Sequence, residues 1–464
     1  MDRFFKLKEN GTNVRTEIMA GLTTFMTMAY ILAVNPNILS NFGSGATGMD
    51  WTAVFLATAI AAGVMTIAMG LFVNFPVALA PGMGLNAYFA TVILASQGTF
   101  TYQMGLAAVF ISGIIFIILT VTKVRQMLLV AVPDSLKHAI TVGIGLFITI
   151  VGLKNSGLMT IAAETTKDVK AHQYTDLLSF ETVIHLGSLK DPNVVLCIIG
   201  LILISVLMVL KVRGAILYGI LLTTVIGMLM GQVNFATLTD AKTTWVPDLT
   251  KLAFAEFDFK GLLNTGIITV ILTFTFVELF DTFGTLVGTA NRAGFMKNKE
   301  EGNKKVGKAM MVDAVAVSGG ALVGTSTVTA YIESAAGVAQ GGRTGLTAVT
   351  TGVCFLLALF LAPIAALIPG SATAAALIVV GVLMMQSVKE IDFQDLVVAI
   401  PAFLVIVMMP FTYNIANGIS FGIVTYVILA TVSRWGGRND HKVHWLMWVL
   451  AVLIIFRYTM LGGE

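Results

Sequence analysis

From residue 16 to residue 433 the chain is a succession of apolar stretches, each about 20 residues long, joined by polar connections of which all but two are short. A helix of that length spans the hydrocarbon core of a bilayer. Only helices and closed barrels can do so, because lipid offers no partner for backbone polar groups. Composition agrees: hydrophobic residues are 57% of the chain and charged residues 11%, whereas a soluble domain carries roughly 25% charge. The pattern specifies an all-α polytopic membrane protein and excludes cytosolic enzymes, nucleic-acid binders and secreted scaffolds. Cys197 and Cys354 lie inside apolar runs, so neither a disulfide framework nor a metal cluster is expected. No cofactor motif is expected either. Met1–Asn10 is charged, and the first apolar stretch lacks a small-residue cleavage site, so no cleavable signal peptide is expected.

Fourteen spans are expected, at 16–39, 51–74, 76–95, 102–121, 135–153, 191–210, 214–232, 263–289, 306–324, 326–340, 344–366, 371–388, 394–411 and 414–433. A further stretch at 443–460 contains Arg457 and is expected to form an apolar or interfacial helix. With a cytoplasmic N-terminus, 20 of the 28 Lys and Arg fall inside and seven outside, Arg457 being the remainder. All seven lie in the two longest loops, as the positive-inside bias requires.

Seven crossings is an odd number, so the second seven enter from the opposite side and any internal similarity implies an inverted repeat. Val132-Pro133-Asp134-Ser135 parallels Ile368-Pro369-Gly370-Ser371, each leading into a Gly-rich span. Gly214–Ile220 parallels Asn417–Ile423, and Asn86-Ala87-Tyr88 parallels Thr329-Ala330-Tyr331. The third and tenth spans are irregular. Pro76, Pro81, Gly82 and Gly84 break the first of them. The second opens on the β-branched and hydroxyl residues Thr325–Thr329 before turning helical. Each reads as a short extended segment followed by a half-helix. Such backbone at membrane depth must be buried in protein or line a cavity, and paired broken spans point to a binding site.

Ionisable groups within spans need a reason to be there. Glu278 and Asp281 stand at i and i+3 on the eighth span, with no Lys or Arg near them in sequence. Two such carboxylates repel at low dielectric, which favours a bound proton. Glu333 adds a third acid on the tenth span, and Asn86 a donor and acceptor on the third. An acceptor-rich site of this kind suits cations or ligands with several N–H donors, such as a neutral purine. Phe276, Phe280, Phe283 and Tyr331 are positioned to stack on a flat ring, or are core residues. Thr327, in the extended part of the tenth span, joins the candidate set. Asp281 is alternatively a structural partner of nearby hydroxyls. Asp313, in the ninth span, is a helix-packing partner or a coupling residue. His138 reads as an interface position.

Leu79–Phe89, Val277–Thr285 and Gly324–Ser334 resemble the corresponding segments of the AzgA-like branch of the nucleobase–ascorbate transporters, which are adenine, guanine and hypoxanthine permeases. The resemblance runs from about residue 3 to the C-terminus in the same order and spacing. It implies a uracil-permease-like fold of 14 spans in two inverted repeats. A core domain would comprise 16–121 and 263–366, and a gate or dimerisation domain 127–232 and 371–433. It also implies purine contacts for Asn86, Glu278 and Glu333, with Asp281 a candidate for proton coupling. The expected protein is a plasma-membrane purine–proton symporter working by alternating access, with a homodimer plausible through the gate. A sulfate or bicarbonate carrier of the same fold, a purine exporter and a channel are the alternatives. The acidic site argues against the anion carrier.

Overall fold

The structure, a computed structural model, describes residues 2–41, 44–96, 98–122, 127, 131–161, 184–233, 245–264, 270–271, 274–275, 278, 282, 285–286, 289–290, 293, 295, 299–437 and 441–460. Among these residues nine helices are long and apolar enough to cross a membrane, and four shorter helices are apolar. In chain order the first half comprises α1 (Asp2–Phe5), α2 (Val14–Met28), α3 (Ile31–Leu39), α4 (Trp51–Ala68), β1 (Leu79–Pro81), α5 (Met83–Ala95) and α6 (Tyr102–Val121). There follow α7 (Asp134–Asn155), the hairpin strands β2 (Met159–Ile161) and β3 (Ile184–Leu186), α8 (Pro192–Val209) and α9 (Ala215–Leu229). The second half comprises α10 (Phe259–Asn264), α11 (Lys299–Val323), β4 (Val328–Ala330), α12 (Ser334–Ala339), α13 (Gly345–Leu357), α14 (Gly370–Met385), α15 (Leu396–Phe411), α16 (Ile415–Trp435) and α17 (Trp445–Met460). The residues described between 270 and 290, Glu278 and Thr282 among them, are helical.

Side-chain caps mark where apolar stretches begin. Asp50, Thr101, Asp191, Thr344, Asp395 and Asn414 each accept from a first-turn N–H of the following helix. They satisfy donors that have no intrahelical partner. The first span departs from the single helix expected at 16–39. Around Tyr30 it tightens, Leu32 N donating to Ala29 O and Ala33 N to Tyr30 O, both at 3.1 Å. Pro36 follows inside α3, with no N–H to give to a carbonyl one turn back.

The helices fall into two packing groups, α2–α6 with α11–α13, and α7–α9 with α14–α16. The repeated Pro-x-Ser motifs start equivalent helices. Pro133 precedes α7 and Pro369 precedes α14, and their carbonyls accept from Leu136 N at 3.1 Å and Ala372 N at 3.0 Å. These two helices then meet backbone to backbone. A Cβ on Gly381 would lie 2.6 Å from Gly145 O, and one on Gly145 would lie 3.0 Å from Gly381 O. Equivalent helices touching through equivalent glycines express the two-fold relation between the halves.

Glu17 in α2 is fully buried, and its carboxylate accepts from Arg343 N at 2.8 Å, Thr344 Oγ1 at 2.8 Å and Thr347 Oγ1 at 2.6 Å. It also accepts from Thr344 N and Thr347 N, both at 3.2 Å. The first span is thereby fastened to the N-terminus of α13, where the dipole favours an anion. Glu17→Ala strands these donors and is expected to destabilise the protein by about 2–4 kcal/mol, with Glu17→Gln milder. Thermal unfolding in detergent reads the difference.

Candidate functional site

The two broken spans meet. β1 pairs with β4 antiparallel, Leu79 opposite Ala330, Ala80 opposite Thr329 and Pro81 opposite Val328. Gly82 N extends the ladder to Thr327 O at 2.9 Å, and Tyr331 N extends it to Ala78 O at 3.0 Å. Side chains take up outward-facing backbone groups. Thr66 Oγ1 donates to Leu79 O at 3.0 Å and accepts from Leu79 N at 2.9 Å. Ser334 Oγ accepts from Ala78 N at 3.0 Å, and Asp313 Oδ1 from Ala330 N at 3.1 Å. Extended backbone at this depth is tolerable only when paired in this way. The extended segments and half-helices expected from the prolines, glycines and β-branched residues are therefore present, α5 starting at Met83 and α12 at Ser334. No side chain caps the N-terminus of α5, which leaves its first-turn N–H groups and positive dipole end close to the strand crossing.

Asn86, in the first turn of α5, is fully buried. Its Nδ2 donates to Asn35 Oδ1 at 2.5 Å, and its Oδ1 accepts from Ser326 Oγ. Asn35 in turn donates to Thr58 Oγ1 at 2.7 Å and Thr325 Oγ1 at 2.9 Å. A polar chain thus joins spans 1, 2, 3 and 10 behind the crossing. Thr327 is also fully buried, and its Oγ1 has no hydrogen-bond partner among the described residues. Tyr331 is buried in the ladder, its hydroxyl donating to Pro81 O.

The carboxylates flank the same crossing. Glu278 is fully buried and accepts from Thr282 Oγ1 at 3.3 Å. Thr282 Oγ1 lies 2.8 Å from Thr329 Oγ1, which donates to Asp313 Oδ1 at 3.3 Å. Two hydroxyls therefore bridge Glu278 on the eighth span and Asp313 on the ninth. Glu333 is half-buried at the start of α12 and accepts from Tyr30 Oη at 2.6 Å. Asn86, Glu278, Thr327, Tyr331 and Glu333 are thus gathered around one strand pair. Phe280 and Asp281, with Phe276 and Phe283, lie outside the described residues.

Tyr30, Asn35, Thr58 and Ser326 belong to this arrangement and were not singled out from sequence. Tyr30 and Asn35 sit in an apolar span, where a buried polar group needs a partner. That signal names a need but not which residue meets it.

A strand pair between two half-helices, within an inverted repeat and with buried acids close by, is the architecture of a membrane transporter. Residues 15–421 match the Xan_ur_permease model, described as Permease family, and the chain belongs to that family. The chain is 42% identical over 429 residues to the adenine permease AdeP of Escherichia coli, covering 92% of this chain and 90% of that protein. It is 41% identical over 461 residues to the guanine/hypoxanthine permease PbuO of Bacillus subtilis, covering 98% and 100%. The transmembrane domain of the cyanobacterial bicarbonate transporter BicA has the same fold, with a TM-score of 0.62 at 15% identity, over 90% of this chain and 97% of that one.

Tyr30→Phe removes the donor to Glu333 without changing packing volume. The protein is expected to lose about 1–3 kcal/mol of stability, the scale of one hydrogen bond to a charged group. Thermal unfolding in detergent, compared with the unsubstituted protein, checks this.

Proposed function

We propose that this protein carries purine nucleobases across the plasma membrane together with protons, by alternating access, with its N-terminus in the cytoplasm. The observation carrying this reading is the gathering of Glu278, Glu333 and Asn86 around the β1–β4 crossing. Its context is a chain about 40% identical to adenine and guanine/hypoxanthine permeases over nearly its whole length. A purine presents adjacent ring and exocyclic N–H groups, which a carboxylate binds in bidentate fashion. Thr327 Oγ1 offers a further hydrogen bond, and the N-terminus of α5 suits a ring carbonyl or acceptor nitrogen.

A proton on Glu278 or Asp281 would neutralise the site before it moves, lowering the cost of carrying it through a low-dielectric barrier. The Thr282–Thr329 hydroxyl pair would let Asp313 share that proton. Movement would displace the α2–α6 and α11–α13 group against the α7–α9 and α14–α16 group, with the purine held on the first. An anion carrier would face its ligand with the carboxylates of Glu278 and Glu333, which disfavours sulfate and bicarbonate.

The test is uptake of radiolabelled hypoxanthine, guanine and adenine into proteoliposomes, with and without an inward proton gradient. Uracil and sulfate serve as competitors. Gradient-stimulated uptake, blocked by other purines only, is expected. Sulfate or bicarbonate transport without purine uptake would overturn the reading. Glu278→Gln is expected to abolish coupled uptake, and Asp248→Asn, in an exposed connection, to leave it unchanged. Full proton-driven uptake in both Glu278→Gln and Asp281→Asn would sink the coupling assignment.

A further inference from the structure

We infer that α17 (Trp445–Met460) is a fifteenth membrane-spanning helix with its outward face covered by acyl chains, so that Met460 lies on the opposite side of the bilayer from Val14. Fourteen crossings return the chain to its starting side at the end of α16. The open question is whether α17 then lies along that surface or crosses again.

Its contacts run the length of a spanning helix. Near its start, Val443 and Trp448 line a cavity of about 370 Å³ with Thr431 and Arg434, at the far end of α16. Near its own end, Tyr458 Oη donates to Asn417 Oδ1 at 2.6 Å, in the first turn of α16. A helix lying flat on the surface would meet one end of α16. One that meets both ends must run antiparallel to it through the membrane. The incoming segment is fixed by His441 Nε2, 2.7 Å from Asp395 Oδ2 at the N-cap of α15.

The distribution of side chains agrees. Met447, Leu450 and Ala451 are buried, and Ile454 packs against the same core, a spacing of three, four and seven that makes one helical face. The opposite face carries Trp448, Val449, Val452, Leu453, Ile455 and Phe456, between 44% and 61% exposed. From Trp445 to Phe456 there is no polar residue on any face. A helix lying in the interface needs a polar face towards water; an apolar helix with a free apolar face belongs in hydrocarbon. Trp445 and Trp448 stand where a spanning helix carries its aromatic belt. Arg457 falls in the last turn, where a span tolerates a cation. At 16 residues α17 is about 24 Å long, a modest mismatch that local thinning of the bilayer absorbs.

Single cysteines test this in a background with Cys197→Ala and Cys354→Ala. Glu9→Cys, Lys442→Cys and Gly462→Cys are treated with a membrane-impermeant maleimide before and after permeabilisation. Glu9→Cys and Lys442→Cys are expected to label from one side and Gly462→Cys from the other. Labelling of Lys442→Cys and Gly462→Cys from the same side would overturn the inference. A fluorophore on Val452→Cys reads the outward face even where labelling at 462 is slow. Quenching by lipids brominated at mid-chain is expected. Quenching by aqueous iodide instead would place α17 at the interface, and quenching by neither would place a second copy of the chain against it. Either result overturns the inference.

Discussion

Backbone hydrogen bonding without water is the constraint on which the centre of this protein depends. Two segments abandon the helix at membrane depth, and each would strand several N–H and C=O groups if it did so alone. They do so opposite one another, so that three residues of β1 and three of β4 satisfy each other. The neighbours then serve that crossing. Thr66 and Ser334 bond β1 and the residue before it, and Asp313 takes the N–H of Ala330. Buried polar residues on spans 2, 9 and 10 thereby acquire a structural reason.

The electrostatics follow from the same geometry. Glu278 and Asp313 are both fully buried, and hydroxyls rather than cations stand between them. Glu17, also fully buried, receives three backbone N–H groups and two hydroxyls at a helix N-terminus. Glu17 is surrounded by donors that the fold holds in place, which makes it an anchor for the first span. Glu278 accepts from the hydroxyl of Thr282, a rotatable group that can donate or accept.

Much of this was legible in the sequence because the bilayer simplifies the code. Spans, their breaks at Pro81–Gly84 and Thr325–Thr329, and the intramembrane acids all announce themselves as exceptions to an apolar rule. The repeat was readable from Pro133 and Pro369, which start equivalent helices. What the sequence left open is pairing at long range. Nothing local indicates that Tyr30 reaches Glu333, 303 positions away, or that Glu17 serves residues 326 to 330 positions downstream. The break near Tyr30 was also missed. It is made by a few i−3 bonds ahead of Pro36 rather than by glycine or by proline at the bend itself.

The two packing groups touch through α3 on α14, α5 on α7 and α2 on α9. Among the described residues, a side-chain hydrogen bond from Asn37 Nδ2 to Thr373 Oγ1, at 3.0 Å, crosses between them. Tyr413, just after α15, also bonds side chain to side chain with Thr91 of α5 across the seam, and Gly84 packs against the methyl of Ile144. A neutral hydrogen bond is worth about 1 kcal/mol. By contrast, the Glu17 and Asn35–Asn86 networks lie wholly inside the first group, so a shift of one group against the other would leave both networks intact.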